Sequence, residues 1–275
     1  MTEQLQQRST AWHNARRGKL TASNLGAALG QVSYVSRACA YRRAIGIDKF
    51  EGNDATEWGT QNEANGILAY QQLTGNIVKA SGLHIHPHLD WLAGSPDGLV
   101  GEEGMVEIKC PFYHRKGGRL HKKVPPHYFM QVNALLEICN RKWCDYVCWA
   151  PEGMVVYRVY RNSACFDFLL PFYTQFYAAM EAKADNPPPL SKDEKALIIL
   201  NLAEADTQIN YTYWDLVDPT APFPSSDPHD SAEDENETCS PHAKRQCVPE
   251  LCRSDNQRCH SEETGIGQAA SSIPV

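Results

Sequence analysis

Residues 91–111, "WLAGSPDGLVGEEGMVEIKCP", constrain the fold more than any other stretch of this chain. Short apolar runs are cut by Gly-Ser-Pro-Asp-Gly and by Gly-Glu-Glu-Gly. A helix does not run through such punctuation, whereas short strands joined by tight turns fit it. The pattern predicts strands at about 91–94, 98–101 and 104–110, with the turn at 101–104 folding the last two into a hairpin. Side chains two apart on a strand share a face. Glu107 and Lys109 therefore project together, and Val106 and Ile108 point the other way, into a core.

In register, the hairpin brings Asp97 close to Glu107. Two carboxylates held together repel unless positive charge stands between them. A hard divalent cation such as Mg2+ suits carboxylate oxygens. Lys109 beside it could orient or deprotonate a water, or stabilise charge on a phosphorus centre. Taken alone, Glu-Ile-Lys reads as a solvated ion pair on an edge strand, and Ser-Pro-Asp-Gly as a turn. A third acid shifts that balance. Glu63, in "GTQNEANGILAY", sits on a long helical segment with Ile67 and Tyr70 at helical spacing, and could share the cation.

The remaining punctuation organises the chain. Helical patterns cover about 3–17, 23–29, 36–46, 56–75, the stretch "PPHYFMQVNALLEIC" and 163–184. Strand patterns fall at about 76–86, in "DYVCWA" and in "MVVYRVYR". This order predicts a mixed α/β (α+β) layout, one central mixed sheet flanked by helices, over residues 1–185. After "NPPPL", a helix opening at Ser191 forms an accessory segment over 186–218. Residues 219–275 read as a disordered acidic tail, because Pro, Ser and acids there leave little apolar surface to bury. Of the net charge of −7, most comes from that tail: residues 220–275 carry ten acids against four bases, and residues 1–219 carry 23 against 22.

Within the body, bases gather in residues 1–46 and in "HRKGGRLHKK" (114–123), where they suit a phosphate backbone. No apolar run is long enough to cross a bilayer, and the first residues lack a secretory pattern. The expectation is a soluble, intracellular protein without a membrane partner. Six of the ten cysteines lie singly before residue 170 and read as buried thiols. The four in the tail match no standard zinc spacing. His84, His86 and His88 alternate as a strand does and read as framework rather than as a zinc face.

Jointly, five stretches resemble a known family: "WHNARRGKLTAS" (12–23), "GTQNEANGILAY" (59–70), "WLAGSPDGLV" (91–100), "VEIKCP" (106–111) and "HYFMQV" (127–132). Pro-Asp followed by Glu-Ile-Lys resembles the PD-(D/E)XK nucleases, and the whole series resembles the YqaJ-like viral recombinase branch with the phage lambda-type exonucleases. The likeness covers about residues 8–180. It implies a restriction-endonuclease-like core. Asp97, Glu107, the Ile108 carbonyl and Glu63 would ligate Mg2+, with Mn2+ as a substitute. Lys109 would orient the nucleophilic water, and Gln131 would reach the site from the following helix. Arg16, Ser23 and Ser95 would hold a terminal 5′-phosphate, which agrees with the chemistry of a planar guanidinium and hydroxyl donors. Gly66 departs from a good helix sequence.

The activity so implied is Mg2+-dependent 5′→3′ digestion of double-stranded DNA ends to 5′-mononucleotides. It would leave 3′ single strands for recombination or repair. Implied partners are DNA ends, a single-strand annealing protein and two further copies in a homotrimer. The alternatives are an endonucleolytic or structure-specific deoxyribonuclease, and a catalytically silent DNA-binding module.

Overall fold

The structure, a computed structural model, describes residues 5–112 and 120–206. Two sheets carry the chain. The first has three short strands in the order β1 (Leu20–Thr21), β4 (Leu92–Gly94), β3 (His84–Ile85). The second has five, in the order β2 (Val78–Lys79), β5 (Gly98–Val100), β6 (Gly104–Lys109), β7 (Trp143–Ala150), β8 (Gly153–Tyr160). In the larger sheet β6 and β7 are parallel and the other pairs antiparallel. The helices are α1 (Thr10–Arg16), α2 (Leu25–Ala28), α3 (Arg37–Ala44), α4 (Asp54–Thr74), α5 (Pro126–Ile138), α6 (Ser163–Glu181) and α7 (Lys192–Asp206), with a 3-10 turn at Ala22–Asn24.

The mixed α/β class agrees with the expectation; the single sheet does not. The stretch 76–86 is not one strand. It divides into β2, which pairs with β5, and β3, which pairs with β4 in the other sheet. Ser81 and Gly82 lie at the break, and a side chain on Gly82 would meet the Leu5 carbonyl oxygen at 2.5 Å. The first helix starts at Thr10 rather than near residue 3, because the Ser9 side chain accepts from the Trp12 amide and sets the cap there.

Helix α4 has strong boundaries. Asn53 and Thr56 form a reciprocal capping box, and Gly75 closes the helix in the left-handed conformation at φ 71°. It covers one face of the large sheet through Tyr70, Val100, Val106, Ile108, Val147, Met154 and Val156. The opposite face packs Met105, Cys144, Tyr146 and Cys148 against α5 and α6. Strand β6 is thus central and covered on both sides, which excludes the solvated edge strand as the setting for Glu107. Helix α7 seats Ile198, Leu202 and Ala205 on the same body.

His84 accepts or donates at 2.8 Å with Ser81, and His86 stacks on Phe166 at 5.9 Å, so both serve as framework. Among the described residues six cysteines are free thiols, and no helix is long and apolar enough to cross a membrane. Residues 114–119 of the basic loop, the tail and its cysteines lie outside the described residues.

Candidate active site

The β5–β6 register is Gly98 opposite Val106 and Leu99 opposite Met105, so the next position sets Asp97 across from Glu107. Asp97 Oδ2 accepts from the Ile108 amide at 2.7 Å, which fastens the acid to the strand beside its partner. Glu107 is 2% exposed. Its Oε1 accepts from Lys109 Nζ at 2.9 Å and from Gln131 Nε2 at 2.5 Å. Its Oε2 is buried with no hydrogen-bond partner. A buried carboxylate oxygen left without a donor costs stability unless something fills the role.

Asp97, Ile108 and Lys109 border a cleft of ≈ 280 Å³ that Arg8 and Glu63 also line, with Tyr34, Phe112, His121, His127 and Tyr128 as an aromatic wall. Burial, then the charges of Glu107 and Glu63, hold the Asp97 carboxyl well above the usual range. Burial likewise raises Glu107, against the pull of Lys109. Burial and then Lys109 lower His121 and His127 to about 4, so both imidazoles are neutral at ordinary pH. Lys109 Nζ lies 4.6 Å from the centroid of the Tyr128 ring, a cation–π contact that steadies the ammonium.

Glu63 arrives from α4. Gly59, Glu63, Gly66 and Tyr70 share one helical stripe. A side chain on Gly66 would meet Ile108 Cγ2 at 2.6 Å, closer than real contacts allow. The glycine that looked like a weakness in the helix is what lets α4 approach β6. Tyr70 anchors the far end by donating to Asp145 Oδ2 at 2.6 Å. In this structure Glu63 is paired with Arg8 at 2.6 Å.

Among the described residues no group of three His, Cys, Asp or Glu side chains is gathered at metal-binding spacing. The donor set nonetheless fits a hard divalent cation: an orphaned Glu107 oxygen, a repelled Asp97 beside it and Glu63 on the same cleft.

The three residues expected at a phosphate are also drawn together. Strands β1 and β4 are parallel with Leu20 opposite Leu92 and Thr21 opposite Ala93, so the segments carrying Ser23 and Ser95 leave the same end of this pair. Trp12 Nε1 donates to Ser95 Oγ at 2.9 Å, and the Arg16 guanidinium lies 4.1 Å over the Trp12 ring. Arg16 also donates to Thr21 Oγ1 at 3.4 Å, and Thr21 meets Ser23 at 3.3 Å. Arg17 is exposed and Arg16 half-buried, so the two neighbours are not equivalent. Sequence reasoning gave Arg8 only as one of the bases of residues 1–46, placed His121 only in a basic stretch and read Gly66 only as a weak point of its helix; it assigned no role to Trp12, His127 or Tyr128. Only the Trp12–Arg16 spacing of one helical turn offered a signal.

The geometry is that of a nuclease core, and comparison agrees. The family model for the YqaJ-like viral recombinase domain matches residues 11–142. An alkaline exonuclease from Laribacter hongkongensis is 30% identical, with a TM-score of 0.54 over 64% of this chain and 94% of that one. The same exonuclease in complex with dAMP matches at 28% identity, with the same TM-score of 0.54 and the same coverage, 64% and 94%. No curated protein matches the chain. The chain belongs to the YqaJ-like viral recombinase family and is a deoxyribonuclease of the alkaline exonuclease type.

Proposed function

We propose that this chain digests double-stranded DNA from its 5′ ends in a Mg2+-dependent hydrolysis, releasing 5′-mononucleotides and leaving a 3′ single strand. The observation that carries the reading is the hairpin register that sets Asp97 opposite Glu107, with Lys109 on the same strand face. Nucleases of this family generally use divalent metal ions. Asp97, Glu107, the Ile108 carbonyl and Glu63 would hold Mg2+, for which Mn2+ could substitute. When bound, the ion supplies Lewis-acid polarisation and charge neutralisation at the phosphoryl group.

The chain's own groups do the rest. Lys109, held by Glu107 and the Tyr128 face, orients the attacking water. Gln131 fixes the Glu107 carboxylate so that its free oxygen keeps one direction. Arg16, Ser23 and Ser95 grip the terminal 5′-phosphate, which sets the cleavage point by distance from the end. The dAMP complex of the Laribacter relative supports a mononucleotide product. We read residues 1–185 as the nuclease domain, 186–218 as an accessory segment and 219–275 as a tail. A homotrimer on DNA that passes its 3′ strand to a single-strand annealing protein completes the reading.

The test is a time course on linear duplex labelled at the 5′ or the 3′ end, with and without Mg2+, beside a closed circle. Early release of the 5′ label as mononucleotide, with the circle intact, is expected. Absence of degradation, or a Lys109→Ala protein as active as wild type, refutes it.

A further inference from the structure

Arg8 belongs to none of the stretches that carry the family resemblance, yet its backbone is left-handed at φ 66°. Two other non-glycine residues among those described share this conformation, Asn140 and Lys183. Both follow the C-caps of helices, where a left-handed residue is the usual way to stop. Arg8 ends no helix; it precedes the N-cap Ser9 of α1. A long side chain in this conformation is strained, and strain of this kind gathers at functional positions.

The segment before it is clamped. Gln7 Nε2 donates to the Ser81 carbonyl at 3.2 Å and to the Pro96 carbonyl at 2.8 Å, next to Asp97. Leu5 lies against Gly82, which has no room for a side chain. The left-handed turn then directs Arg8 into the cleft, where Nη2 donates to Glu63 Oε2 at 2.6 Å. The side chain is 50% exposed. A guanidinium has five N–H donors, and among the described residues only this one bond engages Arg8. An ion pair so exposed adds little to folding, so it does not offset the backbone strain.

We propose that Arg8 exchanges partners: it holds Glu63 in the metal-free site and, when a divalent cation takes that carboxylate, turns to a phosphate of the DNA strand in the cleft. The inference rests on the proposed metal site and deepens it. A guanidinium and a divalent cation compete for Glu63 and repel each other. A released guanidinium in a cleft entered by DNA has phosphate oxygens as planar, bidentate acceptors. Glu63 is thereby kept ordered before loading, and a positive charge is delivered only once the site is loaded.

The test uses the full chain with Arg8→Gly, because glycine suits the left-handed position and the variant should fold with an equal or higher Tm. Mn2+ titrated by calorimetry without DNA should bind Arg8→Gly roughly twofold to fivefold tighter than wild type, since a competitor is gone. In a Lys109→Ala background with Mn2+, affinity for 5′-phosphorylated duplex should fall about tenfold, with the salt dependence shallower by about one counterion. A purely structural clasp would weaken both or neither. Unchanged or weaker Mn2+ binding overturns the proposal, and so does unchanged DNA affinity and salt slope. Two controls separate this from failure of the site itself. If Lys109→Ala still digests the duplex, or Glu63→Gln binds Mn2+ like wild type, the metal-site reading fails first.

Discussion

Two buried acids on adjacent strands have opposite fates. Asp145 on β7 is 2% exposed and fully answered: Arg158 donates to both its oxygens at 2.8 Å, and Tyr70 donates at 2.6 Å. Glu107 on β6 is 2% exposed as well, but one of its oxygens has no donor and the charges of Asp97 and Glu63 act on it. The sheet is the same, and so is the degree of burial. The difference teaches that burial of a charge does not mark a functional site; incomplete satisfaction does. The Asp145 network instead ties α4 to the sheet, and its arginine lies 3.9 Å over the Trp143 ring.

The comparison breaks if the two acids respond alike to substitution. Glu107→Gln should lower DNA hydrolysis roughly 10³-fold or more, while Tm in the absence of metal stays level or rises because repulsion is relieved. Asp145→Asn should do the reverse in kind. It takes from Arg158 one of its two acceptors and the opposite charge, and should cost about 1–3 kcal/mol of stability in denaturant unfolding, with activity lost only in proportion to unfolding.

The pH dependence sharpens the contrast. His121 and His127 have folded pKa values lowered to about 4 from 6.5, so the unfolded chain binds more protons between those limits. Their contribution to stability therefore rises with pH across about 4 to 6.5 and is lost as pH falls through it, against the opposite trend from the raised carboxyls of Asp97 and Glu107. Each histidine accounts for on the order of 2–3 kcal/mol, and His127→Gln should flatten the lower part of the Tm-versus-pH curve.

The smallest effect is expected at the contact that joins the two acids' regions. Gly66→Ala should cost roughly 1–3 kcal/mol by overpacking against Ile108. It should also raise the Mg2+ concentration for half-maximal activity, because α4 carries Glu63. Unchanged metal dependence would make Gly66 a packing residue only.

Much of this site could be read before folding was considered. The period of two on β6 sets Glu107 and Lys109 on one face, the hairpin brings Asp97 to them, and the helical pattern ending at Gly75 marks the helix that bears Glu63, although its Asn53–Thr56 capping box was not read. Such features are local, since turn chemistry and side-chain alternation act within a few residues. The split of 76–86 between two sheets was not legible, because pairing partners for β2 and β3 lie elsewhere in the chain. Nor was the parallel β1–β4 pairing of Leu20 with Leu92 and Thr21 with Ala93, across 72 positions of sequence.

The sequence by itself determined which residues alternate, where helices start and stop, and so which acids and which lysine share a strand. Only the tertiary structure decided that Glu107 keeps a bare oxygen while Asp145 does not. It alone decided that Gly66 admits a helix and that Arg8 is bent toward Glu63. The reason is physical: propensity and periodicity are properties of neighbours along the chain, whereas satisfaction of a buried charge depends on groups that meet only after the chain has closed on itself.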